Sequence, residues 1–270
     1  MKTKITQWPF FILIFTVLSC EKDTQSTGSD NGKICYPVAW TWEEDNTLYP
    51  FPINYTFNIE GKLLKVNTEC FDWDLMDLEI EYDLNGNISK ISGFGDYGDG
   101  VSTLFYNSNN KLTKYYWREN LIYECEYNGN GQVSKVSQYD SGDPNNSGGW
   151  GLNMVFTYEY SNSHSNNPVK VNWENLFYPE SGSYLIEYDN KKTPFSNLGN
   201  FWSAIALYED FDHFPSILFF ITNNITKITN QDEITTCDYD YNDDGFPTKV
   251  QVSQSDDDYT YSIHFEYECQ

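Results

Sequence analysis

The sequence predicts an all-β protein in which antiparallel β-hairpins, about sixteen strands in all, form a curled sheet or a barrel-like roll. Three observations predict this class. A short phrase headed by tyrosine recurs, apolar and charged residues alternate beside each copy, and Asn-Gly or Asp-Gly pairs mark the reversals. The copies are "YDLNGNISKI" from Tyr82, "YNSNNKLTKY" from Tyr106, "YNGNGQVSKV" from Tyr127 and "YNDDGFPTKV" from Tyr241.

Residues 1–19 have the pattern of a lipoprotein signal peptide. Lys2 and Lys4 precede an apolar run that ends in "VLSC", and the run is shorter than the about 20 residues that a membrane-spanning helix needs. The ending resembles a bacterial lipobox, so Cys20 is the predicted lipidation site. The alternative is an ordinary signal peptide that happens to contain a cysteine.

Residues 20–33 comprise the lipidated cysteine and a polar stretch without large apolar side chains. Such a stretch cannot bury enough surface to order itself, which predicts a flexible tether with a coil span of about 20 Å. Acidic and lysine residues directly after Cys20 resemble the export signal of surface lipoproteins. They favour the outer face of the outer membrane over its periplasmic face.

Residues 34–270 are predicted to form a single all-β repeat domain. Each unit is a strand, a tight turn and a second strand, and each begins at an aromatic anchor. A sheet of about sixteen strands must curl or split, and closing it removes edges that invite aggregation. The predicted anchors are Phe57, Tyr82, Tyr106, Tyr127, Tyr160, Tyr188, Phe219, Tyr241 and Tyr267.

The turn at Asn85-Gly86 predicts the register of each hairpin. A two-residue turn with positive φ at both positions sets carboxylates opposite lysines, which stabilises a pair by about 0.2–1 kcal/mol. Aromatic residues would then line the inner face. Ile88 and Ile91 are three residues apart and cannot both face the Tyr82 side, so the alternative is a bulge or a different turn that changes this register. The predicted opposed pairs are Leu84 with Asn87, Tyr82 with Ser89, Glu81 with Lys90, Glu126 with Lys135, and Asp240 with Lys249.

The repeated phrase resembles the YD repeats of bacterial wall-associated and Rhs-type proteins. With "VLSC", "YDNKKTPFSNL" from Tyr188, "NNITKI" from Asn223 and the closing "FEYEC", the chain also resembles a Bacteroidetes lipoprotein family of unknown function described as porin-like. That resemblance covers nearly the full chain. It implies an antiparallel sheet curled towards a barrel, and no activity.

Two segments interrupt the rhythm. Between Tyr188 and Asn223 the repeat fails, and helical spacing of apolar residues predicts a short helical or loop insertion near 196–214. We expect it to be a plug that fills one end of the barrel or its lumen, and the alternative is a lid over a ligand site. The second segment, from Tyr139 to Gly151, is a glycine-rich loop that ends near Trp150.

The net charge limits the possible partners, and the cysteines limit the possible disulfides. The net charge is −24, with 40 acidic against 16 basic residues, which excludes nucleic acid because binding it requires neutralising phosphates. An exported chain can form disulfides, and five cysteines follow Cys20, so at least one is free and the pairing stays open. They are Cys35, Cys70, Cys125, Cys237 and Cys269.

Catalytic signals are poor. The three histidines lie on separate segments, no nucleophile or metalloprotease motif occurs, and we predict no catalytic residues and no enzyme. Calcium is the one plausible ion, through turns such as 83–87, 96–100 and 242–244, but Asp, Asn and Gly are also the usual turn formers. The speculative ligand-binding residues are Trp150, Trp202, Asp210, Asp212 and His213.

The sequence therefore predicts a lipid-anchored protein of the cell envelope with a non-enzymatic binding or scaffolding role. The main alternative is a surface glycan-binding protein, because aromatic residues make up 18% of the chain and stacked rings suit sugars as well as cores. A hydrolase is third. Expected partners are the membrane, through the lipid, and a glycan or surface protein.

Overall fold

The computed structural model describes residues 35–45, 47–70, 73–94, 100–140, 151–178, 180–194, 196, 220–231, 233–255 and 260–269. These ranges contain sixteen β-strands. Their bounds are β1 Cys35–Glu44, β2 Thr47–Phe57, β3 Leu63–Cys70, β4 Trp73–Tyr82, β5 Ile88–Phe94, β6 Gly100–Tyr106, β7 Leu112–Trp117, β8 Asn120–Tyr127, β9 Val133–Asp140, β10 Gly151–Tyr160, β11 Pro168–Asn175, β12 Glu180–Lys192, β13 Asn223–Asn230, β14 Glu233–Tyr241, β15 Pro247–Gln254 and β16 Thr260–Cys269.

Every strand pairs antiparallel with its neighbour in sequence, and β16 pairs with β1, so the sheet closes into a barrel. This confirms the all-β, barrel-like prediction and its strand number. In the described ranges no helix has the length and hydrophobicity that a membrane crossing requires. The helical insertion predicted near 196–214 lies, apart from Ser196, outside the described residues.

The tight turns differ from the predicted type. Asn85 does not have positive φ, and Gly86, at +85°, is the turn residue that does. The turn is a three-residue loop closed by a hydrogen bond from the Gly86 amide to the Asp83 carbonyl, the geometry of a type I turn followed by a bulge. Tyr82 therefore faces Ile88, not the predicted Ser89.

A second bulge, at Ser89 of β5, restores the predicted pairing one residue further on. Glu81 faces Lys90 as predicted, because the bulge adds one residue to β5. It also explains how Ile88 and Ile91, three apart, are both buried. The predicted pairs Glu126–Lys135 and Asp240–Lys249 are confirmed by the same register.

The bulge places a lysine at the same position in seven hairpins, on the outer wall. Across the bulge a hydroxyl often satisfies the freed carbonyl, as where Thr113 Oγ1 donates to the Phe105 carbonyl at 3.0 Å. Six of the lysines pair with carboxylates on adjacent strands, for example Lys135 with Glu126 at 2.9 Å and Lys114 with Glu124 at 3.2 Å. The other, Lys249, lies 3.9 Å from Glu43, two strands away. The seven are Lys65, Lys90, Lys114, Lys135, Lys170, Lys227 and Lys249.

The pair that closes the barrel is an eighth copy of the hairpin. Tyr267 of β16 faces Pro37 of β1, and the register shifts by one residue at Val38, as at each bulge. Where the other copies have a turn, a disulfide joins Cys35 to Cys269. The first and last strands are thereby joined covalently.

The interior is packed with apolar side chains. One continuous cluster of buried residues receives side chains from all sixteen strands, including Leu78, Ile91, Val136 and Val252 at 0% exposure. Sixteen-stranded porins enclose a water-filled channel. Here the inner face is apolar and the outer wall carries the lysine–carboxylate pairs, the reverse of a membrane-spanning barrel.

Candidate functional site

The barrel has two different ends. The turn end carries the tight turns 58–62, 83–87, 107–111, 128–132 and 242–246, together with the disulfide. The connections from β10 to β11 and from β12 to β13 also start and end there. The loop end carries the other connections, from 45–46 after β1 to 255–259 before β16. Because the wall is regular and the interior is packed, the side-chain groups that break the repeat lie at the two ends of the barrel.

Anchor tyrosines form a hydrogen-bonded series just inside the turn end. Each donates its hydroxyl to the carbonyl of the first residue of the second strand of the preceding hairpin, at 2.7–2.9 Å. Burial raises the pKa of Tyr82 to about 12. The donor–acceptor pairs are Tyr82–Leu63, Tyr106–Ile88, Tyr127–Leu112, Tyr160–Val133 and Tyr267–Pro247.

The hairpin that contains the insertion, β12–β13, keeps the side-chain hydrogen bonds that cap an ordinary turn. In the turn 83–87, Asp83 accepts from the Asn87 amide through Oδ1 and from the Asn87 side chain through Oδ2. Asp189 accepts in the same way from the backbone and side chain of Asn224. The insertion is therefore placed within a turn, and β12 and β13 form one hairpin.

This arrangement corrects one expectation and leaves another untested. The repeat does not fail between Tyr188 and Asn223, because Tyr188 faces Ile225 as Tyr82 faces Ile88. A separate unit anchored at Phe219 cannot be assessed, since that residue lies outside the described residues. The signal was present in sequence, because "YD" at 188 and "NI" at 224 are the two halves of "YDLNGNI".

Half-buried Asp189 and buried Asn224 form the core of a polar cluster at the turn end. Tyr241 donates a hydrogen bond to Asp189 Oδ2. Desolvation by burial raises the pKa of Tyr241 most, and the contact with Asp189 raises it further. Asn224 is 0% exposed, and its Oδ1 has no hydrogen-bond partner among the described residues. Lys191 Nζ lies 5.8 Å from the centre of the Tyr241 ring, so the ring that donates to the carboxylate also faces a cation.

Both flanks of the insertion are buried. Thr193 is 0% exposed and Ser196 7%, while Ile221 joins the core cluster at 0%. The Phe220 ring packs edge-on against Tyr158 with 5.1 Å between centres. The described residues on either side of the insertion are therefore packed inside the barrel.

At the loop end, tryptophans pack against the strands. Trp42 stacks on Tyr261 at 4.0 Å with 17° between ring planes. Trp173 lies flat over Gly182, where a Cβ would approach its indole to 2.7 Å. Within the described loop end, the stacked pair Trp42–Tyr261 is buried, at 5% and 1% exposure, so those rings serve the core.

The predicted ligand-binding residues cannot be placed. Cys20, Trp150, Trp202, Asp210, Asp212 and His213 all lie outside the described residues. His264 is described, and it lies on the outer wall with Nε2 2.8 Å from Glu43. This hydrogen bond holds the Glu43 pKa below its usual range.

The turn oxygens proposed as calcium ligands have structural partners. Asp83 accepts three hydrogen bonds within its own turn, and Asn242 Oδ1 accepts from the amides of Asp244 and Phe246. In the described ranges, the only metal-sized group of candidate side chains is Cys35, Asp244 and Cys269. Its two sulfurs are joined in the disulfide, so it lacks thiolate ligands.

Comparisons with known proteins identify a fold. No family model matches the chain, and no curated protein matches it. A crystal structure of a porin-like protein from Bacteroides uniformis aligns with a TM-score of 0.50 at 15% identity, over 86% of this chain and 98% of that one. A porin-like protein from Bacteroides vulgatus aligns at 0.46 with 12% identity, over 86% and 98%. A structure described as TcdB2-TccC3-TEV aligns at 0.34 with 12% identity, over 80% and 12%. The chain is thus similar in fold to a Bacteroides porin-like protein.

Proposed function

We propose that this chain is a lipid-anchored protein of the outer membrane that acts as a non-enzymatic binding or scaffolding module, exposed at the cell surface. The observation that carries the proposal is the polarity of the barrel. Its inner face is an apolar core, and its outer wall carries a ring of lysine–carboxylate pairs. A periplasmic orientation is the alternative placement.

The polarity determines how such a barrel can attach to a membrane. A wall that faces lipid needs an apolar band between aromatic girdles, whereas Lys135 and Lys170 lie here on the outside with their carboxylate partners. Attachment through lipid on Cys20 does not require the wall to enter the bilayer. More than one acyl chain would make that attachment durable.

Fractionation tests the anchor. Cys20→Ala should move the protein from the membrane fraction to the soluble envelope fraction, while the control Ser19→Ala, which keeps the cysteine, should stay in the membrane. Metabolic labelling with a fatty acid should mark the control and not Cys20→Ala. A Cys20→Ala protein that remains with the membrane would refute lipid anchoring.

Conductance tests the absence of a channel role. Protein reconstituted into planar bilayers should give no ion conductance steps, because the interior is filled by side chains such as Tyr115 and Phe156. Steady unitary currents that scale with added protein would show that the interior conducts, and would overturn the scaffolding proposal.

Glycan binding is the main alternative, and hydrolysis is third. Glycan binding would need exposed coplanar rings, for which Trp150 and Trp202 remain the candidates. A glycan array and a calcium-dependent melting assay on purified protein test ligand and ion together. Saturable binding of one sugar class, lost in Trp150→Ala or Trp202→Ala, would replace the scaffolding role by sugar capture.

A further inference from the structure

We infer that the turn end of the barrel contacts the lipid surface through two exposed turn tips, Ile59 and Leu84. The inference rests on the proposed lipid anchor and specifies what that anchor does to the barrel. It follows from three observations: where the tether meets the fold, which residues form the nearest turn tips, and how far the tether reaches.

The tether joins the barrel at the turn end. The described chain begins at Cys35, which is fixed to Cys269 by the disulfide at that end. Fourteen residues, 21–34, separate it from Cys20. A polar coil of that length spans about 20 Å, whereas a ten-residue strand such as β1 is about 33 Å long. Lipid on Cys20 therefore places the turn end, and not the loop end, beside the membrane.

The two hairpins that follow β1 have aliphatic tips. Ile59 and Leu84 occupy the second position of their turns and are fully exposed, at 103% and 105%. The corresponding residues of three other tight turns are Ser108, Gly129 and Asp243, which are the small or polar residues that turns favour. Neither aliphatic side chain contributes to the core, so packing within the fold does not explain why an aliphatic residue occupies these two positions.

The two tips are close neighbours, and a cation lies between them. The hairpins β2–β3 and β4–β5 are adjacent, so their turns lie about 10 Å apart at the usual strand spacing. Lys62 Nζ is 5.5 Å from the centre of the Tyr82 ring, and it would lie 4.0 Å from a Cβ at Gly86. Its carboxylate neighbour is Glu60, 3.9 Å away and exposed at the same turn. The two apolar tips match the acyl boundary of a lipid surface, and the ammonium group beside them matches its phosphates.

Without a tether, two aliphatic side chains bind a membrane only weakly. A lipid tether raises their effective concentration at the bilayer, which converts weak contact into a preferred orientation. The consequence is a barrel that stands on its turn end and presents its loop end away from the membrane.

An environment-sensitive fluorophore tests the orientation. The lipidated protein, carrying the dye NBD on Ile59→Cys or Leu84→Cys, is bound to phosphatidylethanolamine–phosphatidylglycerol vesicles. Both probes should show a blue shift and a rise in intensity, and spin-labelled lipid should quench them. Leu48→Cys is the matched control, because Leu48 is 60% exposed at the opposite end of β2, and its probe should stay in water.

The outcomes separate the inference from the proposed function. If the protein co-floats with vesicles, Cys20→Ala does not, and the probes at 59 and 84 report water, the anchor stands and the inference is wrong. An equal response at position 48 also overturns it. If the probes respond only in native envelopes and never on pure lipid, a protein partner covers the tips instead. If lipidated protein fails to float, the anchor and the inference fall together.

Discussion

At the scale of single residues, the tyrosine hydroxyls explain why the recurring anchor is tyrosine in most copies. Their rings pack against the core, and five of their hydroxyls each satisfy a strand carbonyl of the preceding hairpin. A buried carbonyl without a donor is costly. Tyrosine therefore supplies apolar area and a donor together, and each anchor couples one hairpin to the previous one.

Tyr106→Phe should lower the free energy of unfolding by about 0.5–1.5 kcal/mol, because the Ile88 carbonyl loses its donor while the ring remains. The measurement is urea unfolding followed by circular dichroism. Tyr116→Phe is the matched control, since Tyr116 lies next to the inward Tyr115 on β7 and faces out, and it should change stability little. Equal losses in both variants would contradict a special role for the anchors.

Alkaline pH should unfold the barrel. Burial raises the pKa of Tyr82 and Tyr184 to about 12, so the folded state favours their neutral phenols. That stabilisation is complete below the unfolded value of about 10 and is lost as the pH rises towards 12. Tyrosinate absorbance should lag until circular dichroism falls. Full ionisation near pH 10 with the fold intact would contradict these buried environments.

At the scale of elements, the hairpin is a turn capped by Asp or Asn, a bulge, and a lysine that faces a carboxylate. Sequence alone predicted the Glu81–Lys90 pairing, because charge and turn signals agree there. The predicted register did not include the bulge, which the sequence left open as an alternative, since Asn85-Gly86 is compatible with a two-residue turn and with a three-residue turn. The spacing of Ile88 and Ile91 was the local sign that a bulge was required.

Asp189→Ala tests whether the insertion is held by a turn cap. Asn224 is fully buried and would lose two hydrogen bonds from its backbone and side chain, so we expect a loss of about 1–3 kcal/mol in unfolding free energy. Protease cleavage within 193–222 should also accelerate. Asp240→Ala, at an exposed wall position, is the control, and a similar loss there would refute the cap.

The wall pairs should fix register more than stability. Glu126→Lys alone should cost about 0.2–1 kcal/mol through repulsion with Lys135, and the swap Glu126→Lys with Lys135→Glu should restore it. Thermal unfolding of the three proteins at low and high salt measures both effects. A swap that remains as unstable as the single variant would show that the two side chains do not interact.

At the scale of the whole molecule, eight equivalent hairpins close a sixteen-stranded barrel, and the eighth is joined by a disulfide in place of a turn. Sequence predicted the class and strand number through the repeat. It could not predict the pairing of Cys35 with Cys269, because cysteine connectivity depends on which strands meet. Nor could it place Trp150, Trp202 or the segment around His213, where no repeat constrains the chain.

Removing the disulfide should loosen the closure first. Cys35→Ser with Cys269→Ser should lower stability by about 2–5 kcal/mol and raise amide exchange in β1 and β16 well before β7 and β8. Wild-type protein whose disulfide is reduced under native conditions should show the same loss of stability and the same pattern of amide exchange. Uniform loss of protection around the barrel would show that the disulfide stabilises the whole sheet and does not act at the β1–β16 pair.

Thiol accessibility at two adjacent residues tests the polarity of the barrel most directly. Ser102 points inward, is 0% exposed and bonds to Tyr115, while Thr103 points outward on the same strand. With the lipidated protein on vesicles and Cys70 replaced by serine, a water-soluble maleimide should label Thr103→Cys rapidly and leave Ser102→Cys, like the buried native Cys125 and Cys237, unlabelled. Rapid labelling at 102 with protection at 103 would mean a water-filled interior and a lipid-facing wall, and would contradict this account.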